Sequence, residues 1–479
     1  MMLRSFLKDS AIYSIPALLS RGLYLFLVPL YTRVLSPSDY GSLDLLTVFA
    51  GIINLTIGLE VSQGVARFYA AERDPERKVA YASSAFWFTL TCYCVFAVVT
   101  LLFADPLSGL IMGQEGLEAA FSIGVLYISV SGIFLLIQNQ FRWELRSKEY
   151  AAITMLMSLV NAVTSFCLAY RLSWGIEGLL LGMLAGNLVG VLAGVWRLRA
   201  SFRFIFNSAL LLEMLAFSTP LVLSSVAVWV SLYIDRMMIN HFLTIEEVGL
   251  YGIGYRVASI VGLVMVGFQG SLNPLVYTYY REAETHRQLA RIFRIFLFFG
   301  LMAFIALSLA ASEILRFMTG PSFYGSAVVV FYLVPALMLS NMYIFAPGIG
   351  IAKRTHYFVW INIGAALLNT LLNILLIPLL GIVGAALATM LNYLVVFIIQ
   401  MVLSQRLYHV PHRWSSIIAA ALLAGALAWW LPRLPLANAE RWASTFLSLL
   451  VFTIASVCLG LVRIDELRQV KSLVRSWLY

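Results

Sequence analysis

The sequence predicts an all-α polytopic membrane protein of about fourteen transmembrane helices, built as two parallel six-span units followed by two further helices. Three observations predict it. The first is composition: of 479 residues, 61% are hydrophobic and only 11% charged, with a mean hydropathy of +0.90, whereas a soluble domain carries about 25% charged residues. The second is run length. Stretches such as 86–103 and 443–462 are apolar all round and long enough to cross ~30 Å of hydrocarbon as helices, without the alternation of a barrel strand. The third is an internal repeat. Ser14-Ile15-Pro16 returns as Ser218-Thr219-Pro220, an offset of 204, and Gly175-Ile176-Glu177-Gly178 returns as Gly381-Ile382-Val383-Gly384, an offset of 206. An even number of spans per unit starts both units on the same side of the membrane, so the repeats are parallel.

The spans centre near residues 21, 53, 92, 130, 162, 186, 225, 263, 301, 335, 367, 393, 422 and 453. This divides the chain into a six-helix lobe over 1–205, a second over 206–405, and two helices with a tail over 406–479. The first span is read as retained, since no small-residue cleavage site follows it. The net charge of +9 is explained by topology and not by nucleic acid. With the N-terminus inside, twenty-four of the 32 lysines and arginines fall on inner loops, among them Arg67, Arg73, Arg77, Lys78, Arg142, Arg146 and Lys148. Six, including Arg33 and Arg236, fall on the outer side, and Arg21 and Arg256 lie within spans. That bias places both termini in the cytoplasm.

Between spans the loops are short, so no external domain is expected, and no inner loop carries a GxxxxGK[ST] phosphate cradle. Energy must come from an ion gradient, a substrate gradient or another chain. After the fourteenth span, Leu467, Val470, Val474 and Trp477 share one helical face against Arg468, Lys471 and Arg475, an interfacial amphipathic helix. Cys92, Cys94, Cys167 and Cys458 lack metal-ligand spacing and read as packing residues; no metal site is expected. His409 and His412 read as a solvated loop. Tyr24, Tyr31, Tyr40, Trp174, Trp229, Tyr251 and Trp414 near span ends read as an interface belt.

Charges inside the membrane mark the candidate sites. Arg21 lies about ten residues into its span, near mid-membrane by helical rise. A guanidinium facing lipid there costs at least ~2.5–3.5 kcal/mol, so it must face an aqueous cavity or a partner. Arg256 takes the corresponding role in the second lobe. One buried arginine per lobe suits an anion, because the planar guanidinium grips phosphate or carboxylate oxygens bidentately; an internal ion pair is the other reading. Asp235 and Arg236, adjacent near the outer end of the seventh span, are expected on different helix faces, with Asp235 either a cation or proton site or snorkelling to the interface. Glu60 near the inner end of the second span is expected to pair with Arg67. Asp44, Glu177 and Glu213 are expected at span ends, touching water. Pro16, Pro29, Pro220, Pro335 and Pro347 interrupt helices, and the matched Pro16 and Pro220 suggest bending points.

The string Leu27-Val28-Pro29-Leu30-Tyr31-Thr32-Arg33-Val34-Leu35 with Asp39-Tyr40-Gly41 resembles the opening of the Wzx-type polysaccharide-biosynthesis flippases. So do Gly58-Leu59-Glu60 with Val65-Ala66-Arg67-Phe68, and Leu372-Asn373 through Ile377-Pro378 to Gly381–Ala386. The resemblance covers about residues 8–405 and places the chain near the multidrug/oligosaccharidyl-lipid/polysaccharide exporter superfamily. It implies two six-helix lobes in a V, opening alternately to each side and moving a polyprenyl-pyrophosphate-linked oligosaccharide outward for lipopolysaccharide or exopolysaccharide synthesis. It implies that Arg21 and Arg256 line a cationic cavity for the pyrophosphate or acidic sugars, while Arg33, Glu60 and Arg67 match the family's pattern around the first two spans, where a gating and a structural role are equally open. With the reading of the residues themselves, the substrate-contacting candidates are Arg21, Arg256 and Arg33, and the ion-coupling or gating candidates Glu60, Asp235, Arg236, Pro16 and Pro220. The driving ion would be H+ or Na+. The partners implied are membrane lipids, a polysaccharide polymerase and a chain-length regulator, with no nucleic acid. The rival readings are an ion-coupled multidrug antiporter, which would want acidic residues at mid-membrane, and a membrane polymerase or ligase, which would want a large outer loop. Non-enzymatic transport is expected.

Overall fold

The structure is a computed structural model, and it describes residues 28–29, 31–262, 282–352, 354, 356–431 and 438–462. Arg21, Pro16 and the amphipathic tail lie outside these residues. Among the described residues every regular element is helical: α1 (Pro37–Thr56), α2 (Val61–Ala71), α3 (Pro75–Leu102), α4 (Ala104–Met112), α5 (Glu118–Trp143), α6 (Ser147–Ser165), α7 (Gly175–Arg197), α8 (Ser208–Phe242), α9 (Ile245–Ala258), α10 (Ala283–Leu309), α11 (Ala311–Met318), α12 (Ala327–Ser340), α13 (Gly348–Ile351), α14 (His356–Leu380), α15 (Ile382–Leu407), α16 (Trp414–Trp430) and α17 (Asn438–Cys458). Among the described residues nine helical stretches are long and apolar enough to cross a membrane. α1 and α2 reach that length and hydropathy only as a pair bent by 46°, and α16 and Trp442–Cys458 are apolar but shorter. These helices lie at twelve of the fourteen predicted span positions. The spans centred near 21 and 263 fall wholly or largely outside the described residues.

The chain separates into two compact units, residues 1–252 with 318–323, and residues 253–317 with 324–479. This packing boundary does not coincide with the repeat boundary at 205/206, because α8 and most of α9 are bonded into the first unit. The Asp39-Tyr40-Gly41 motif shows why. Ser36 and Asp39 form a capping box at the start of α1, Ser36 Oγ accepting from the Asp39 amide at 3.1 Å and Asp39 Oδ2 accepting from the Ser36 amide at 3.1 Å. Tyr40 is fully buried with its ring edge-on to Phe323, 5.9 Å away. Gly41 lies so close to α9 that a Cβ would strike the Ile245 carbonyl oxygen, and Gly249 abuts the Pro37 carbonyl in the same way. Two backbones meet there with no side chain between them, the close packing that helix association within a bilayer favours.

The glycine motif of the repeat has the same physical meaning in each unit. Gly175 and Gly381 open α7 and α15 with φ of +54° and +61°, left-handed values that let the preceding helix turn back almost at once. Three residues on, a Cβ at Gly178 would lie 2.7 Å from the Ala169 nitrogen, and one at Gly384 would collide with the Leu376 carbonyl. Buried amides accompany both pairs. In the first unit Ser165 Oγ donates to Asn161 Oδ1 at 3.0 Å; in the second Asn373 Nδ2 donates to Asn369 Oδ1 at 3.0 Å.

Cys94, Cys167 and Cys458 are exposed on the helix surfaces and do not pack in a core. The loop before α16 also differs from expectation. His409 is exposed, but the His412 ring sits 4.7 Å from Phe293 and 5.1 Å from Trp414, with neither ring nitrogen hydrogen-bonded. Burial, reinforced by Arg294 and His409, lowers its pKa to about 4.

Two predictions follow from this packing. Gly178→Ala should lower detergent-solubilised thermal stability by about 1–3 kcal/mol, since the neighbour it meets is backbone and cannot rotate away. For His412 the folded state binds its proton less readily than the unfolded chain, whose imidazole titrates near ~6.5. Its contribution is therefore complete above that pH and is lost as pH falls toward about 4. Melting temperature measured from pH 7.5 to 4.5 should fall less steeply for His412→Leu than for the parent.

Candidate functional site

In the first unit Asp235 and Arg236 lie at one place and Glu60 at another. At the first, α1, α8 and α9 converge on Arg236. Its Nε donates to Asp44 Oδ2 at 3.1 Å, and its Nη1 donates to Asp235 Oδ1 at 2.9 Å and to the Leu232 carbonyl at 3.2 Å. The Tyr251 hydroxyl donates to Asp235 Oδ2. The guanidinium carbon lies 5.4 Å from the ring centroids of both Tyr233 and Tyr251. Asp44, Asp235 and Arg236 are 8%, 1% and 3% exposed, so the whole constellation is withdrawn from solvent. Adjacent on one helix, Asp235 and Arg236 reach different neighbours, Tyr251 and Asp44, yet the carboxylate also accepts from the Arg236 amide, at 2.9 Å, and from its guanidinium. One expectation is corrected here: Asp44 does not touch water at a span end. Its carboxylate stands against the guanidinium because residue 252 is glycine, where a Cβ would lie 3.1 Å from Asp44 Oδ2.

The second place is the break between α1 and α2. Leu59 and Glu60 are consecutive non-glycine residues at φ of +47° and +51°, a left-handed conformation costing about 1–2 kcal/mol per residue. Neighbours hold it. Ser218 Oγ donates to the Leu59 carbonyl at 2.8 Å, supplying a partner for a carbonyl that the broken helix leaves without one. Gly64 allows α8 to approach, with Met214 Cβ 2.8 Å from where a Cβ would stand. The Ser-Thr-Pro motif thus acts through its serine at the bend of another span, while Pro220 sits inside the uninterrupted 35-residue α8.

Beside the break lies a cavity of about 300 Å³, lined by Asn54, Glu60, Thr89, Tyr93, Asn139 and Arg142 among others. Glu60 does not pair with Arg67, whose guanidinium instead lies 5.9 Å from the Phe217 ring centroid. Its carboxylate has no hydrogen bond or ion pair among the described residues. The Tyr93 hydroxyl donates to Asn54 Oδ1 at 2.9 Å. Arg142 donates to the Tyr150 hydroxyl at 2.7 Å and to Asn139 Oδ1 at 3.4 Å. Thr89 is 3% exposed and its hydroxyl has no hydrogen-bond partner. Sequence reading missed this group. Arg142 was assigned to an inner loop by topology, and the signal that could have found the rest was Asn54, Thr89 and Asn139, isolated polar residues within apolar spans.

Arg33 is exposed in the first unit, its neighbour Thr32 donating to the Val28 carbonyl at 2.9 Å and the Met318 carbonyl at 3.1 Å. Arg256 is half-buried at the end of α9, in the second unit. Glu177 and Glu213 are exposed, Glu213 accepting from the Tyr81 hydroxyl at 2.8 Å.

Removing Arg236 would strand two carboxylates in a dry interior. Arg236→Met should therefore destabilise the protein by about 3–5 kcal/mol. In a double-mutant cycle by thermal melting, Asp44→Asn should recover part of that loss, while an additive cycle would show the pair to be uncoupled.

A family profile described as "Polysaccharide biosynthesis protein" matches residues 30–328. A protein of the Lsg locus of Haemophilus influenzae is 22% identical over 398 residues, covering 79% of this chain and 94% of that protein. The succinoglycan biosynthesis transport protein ExoT of Rhizobium meliloti is 23% identical over 276 residues, covering 56% of this chain and 53% of its own. Among solved structures, the lipid II flippase MurJ in an inward closed conformation aligns at a TM-score of 0.72 with 13% identity, covering 95% of this chain and all of that one. An inward-facing multidrug resistance MATE transporter of the MOP superfamily aligns at 0.63 with 18% identity, over 83% and 97%. The fold is shared with these transporters, and the chain belongs to the polysaccharide biosynthesis protein family of multi-pass membrane proteins.

Proposed function

We propose that the protein is a flippase that moves a polyprenyl-pyrophosphate-linked oligosaccharide from the inner to the outer leaflet of a bacterial cytoplasmic membrane by alternating access, with both termini inside. The observation that carries this reading is the family match across residues 30–328 of a chain made of membrane spans. A glycan assembled on one face of a bilayer cannot cross ~30 Å of hydrocarbon unaided, since every polar group it drags in loses its water. A membrane protein of polysaccharide biosynthesis that is itself rich in spans and buried polar groups suits that crossing better than it suits bond-making chemistry.

In this reading Arg21, Arg33 and Arg256 meet the pyrophosphate or acidic sugars, as guanidinium groups do bidentately. An H+ or Na+ gradient drives the cycle, and a polymerase with its chain-length regulator takes the product. The bent second span and Pro220 are the bending points.

The test is deletion of the gene followed by lipid extraction and leaflet assignment. Complete lipid-linked repeat units should accumulate on the inner leaflet; accumulation on the outer leaflet would place the protein after translocation, as a polymerase or ligase. Arg21→Ala and Arg256→Ala should each reduce surface polysaccharide at least tenfold with protein abundance unchanged, and retained polymer would remove those arginines from the substrate path.

A further inference from the structure

We infer that the cavity beside the break in the second span is a subsite for a single neutral pyranose ring. The inference takes its source of ligand from the flippase reading above, but its chemical class from the cavity itself.

Size gives the first bound. About 300 Å³ is the share of liquid volume of about ten water molecules. A metal ion with six to eight oxygen ligands drawn from the walls needs far less room. Charge gives the second. The lining holds one carboxylate, Glu60, and one guanidinium, Arg142, so its formal charge is zero. A pyrophosphate would call for surplus positive charge and a cation for surplus negative, and the cavity offers neither. The remaining polar lining includes groups that both donate and accept: the amides of Asn54, Gln63 and Asn139 and the hydroxyl of Ser62. A sugar hydroxyl also donates and accepts, so a ring carrying several of them is answered by this mixture better than any ion is.

One charged group at the wall awaits a partner. Glu60 is held at the cavity by a left-handed backbone that the chain adopts at a cost. Tyr93 adds an aromatic wall, fixed by its bond to Asn54 and by Gly132, where any Cβ would collide with the tyrosine ring. Arg142 is already engaged by Tyr150 and Asn139, and serves as an oriented donor rather than a free charge.

The experiment is saturation-transfer difference NMR on the full-length protein in lipid nanodiscs. The probes are methyl glucoside, methyl galactoside and N-acetylglucosamine, with sorbitol as an acyclic polyol of similar size. At least one pyranose should receive saturation that sorbitol does not. Glu60→Gln and Asn139→Leu should reduce it at least fivefold, and Cys94→Ser not at all. Melting within a few degrees of the parent confirms that each variant is folded. Absence of transfer to every pyranose, or equal transfer in parent and variants, overturns the subsite. Stabilisation by sodium ions that Glu60→Gln abolishes, without pyranose binding, overturns it in favour of a cation site. Failure of the flippase reading would look different: a deletion strain with normally distributed lipid-linked glycan, whatever the purified protein binds.

Discussion

A charge buried in this protein has no water to fall back on, and the arrangement of the first unit follows from how Arg236 is answered. Two carboxylates, a backbone carbonyl and two aromatic faces surround one guanidinium. In a low-dielectric interior each partner is worth more than in water, and the loss of any one leaves its counterpart exposed to the full desolvation penalty. Because the partners come from α1, α8 and α9, the network selects which helices belong together. It is the reason the compact first unit runs to residue 252 and takes in α8, which lies beyond the end of the first sequence repeat.

The same requirement explains the bend in the second span. A helix that breaks in a bilayer exposes carbonyls that must find another donor. Ser218 provides it for Leu59, and glycines at 41, 64 and 249 bring the backbones near enough for the ties to form. The bend then turns Glu60 and neighbouring amides toward a common cavity. Strain in the backbone and polarity in the cavity therefore arise from one local event, and a site for a hydrophilic ligand is obtained within an otherwise apolar unit.

Much of the fold was legible beforehand. Apolar run length located the nine helices long enough to cross hydrocarbon among the described residues, since crossing imposes a minimum length on any helix. The repeat of Gly175–Gly178 at Gly381–Gly384 also carried its structural meaning in plain view, because only glycine permits both the left-handed opening and the close helix approach found at each copy. Side-chain direction was less accessible. The spacing of Asp235 and Arg236 does not reveal that the short carboxylate bonds its own following residue. Asp44 was placed at the water surface and His412 in a solvated loop, because sequence distance conceals which helices will cover them.

What the sequence by itself determined was the solvent, the kind of elements, and the glycine-packed helix pairs, all consequences of composition, length and the absence of a side chain at particular positions. Only the tertiary structure decided which polar groups meet. Asp44 is 192 positions from Arg236, and Ser218 is 159 from Leu59. Such pairings rest on the depth and rotation at which helices pack, and a periodic apolar pattern constrains neither when nearly every face of every helix is apolar.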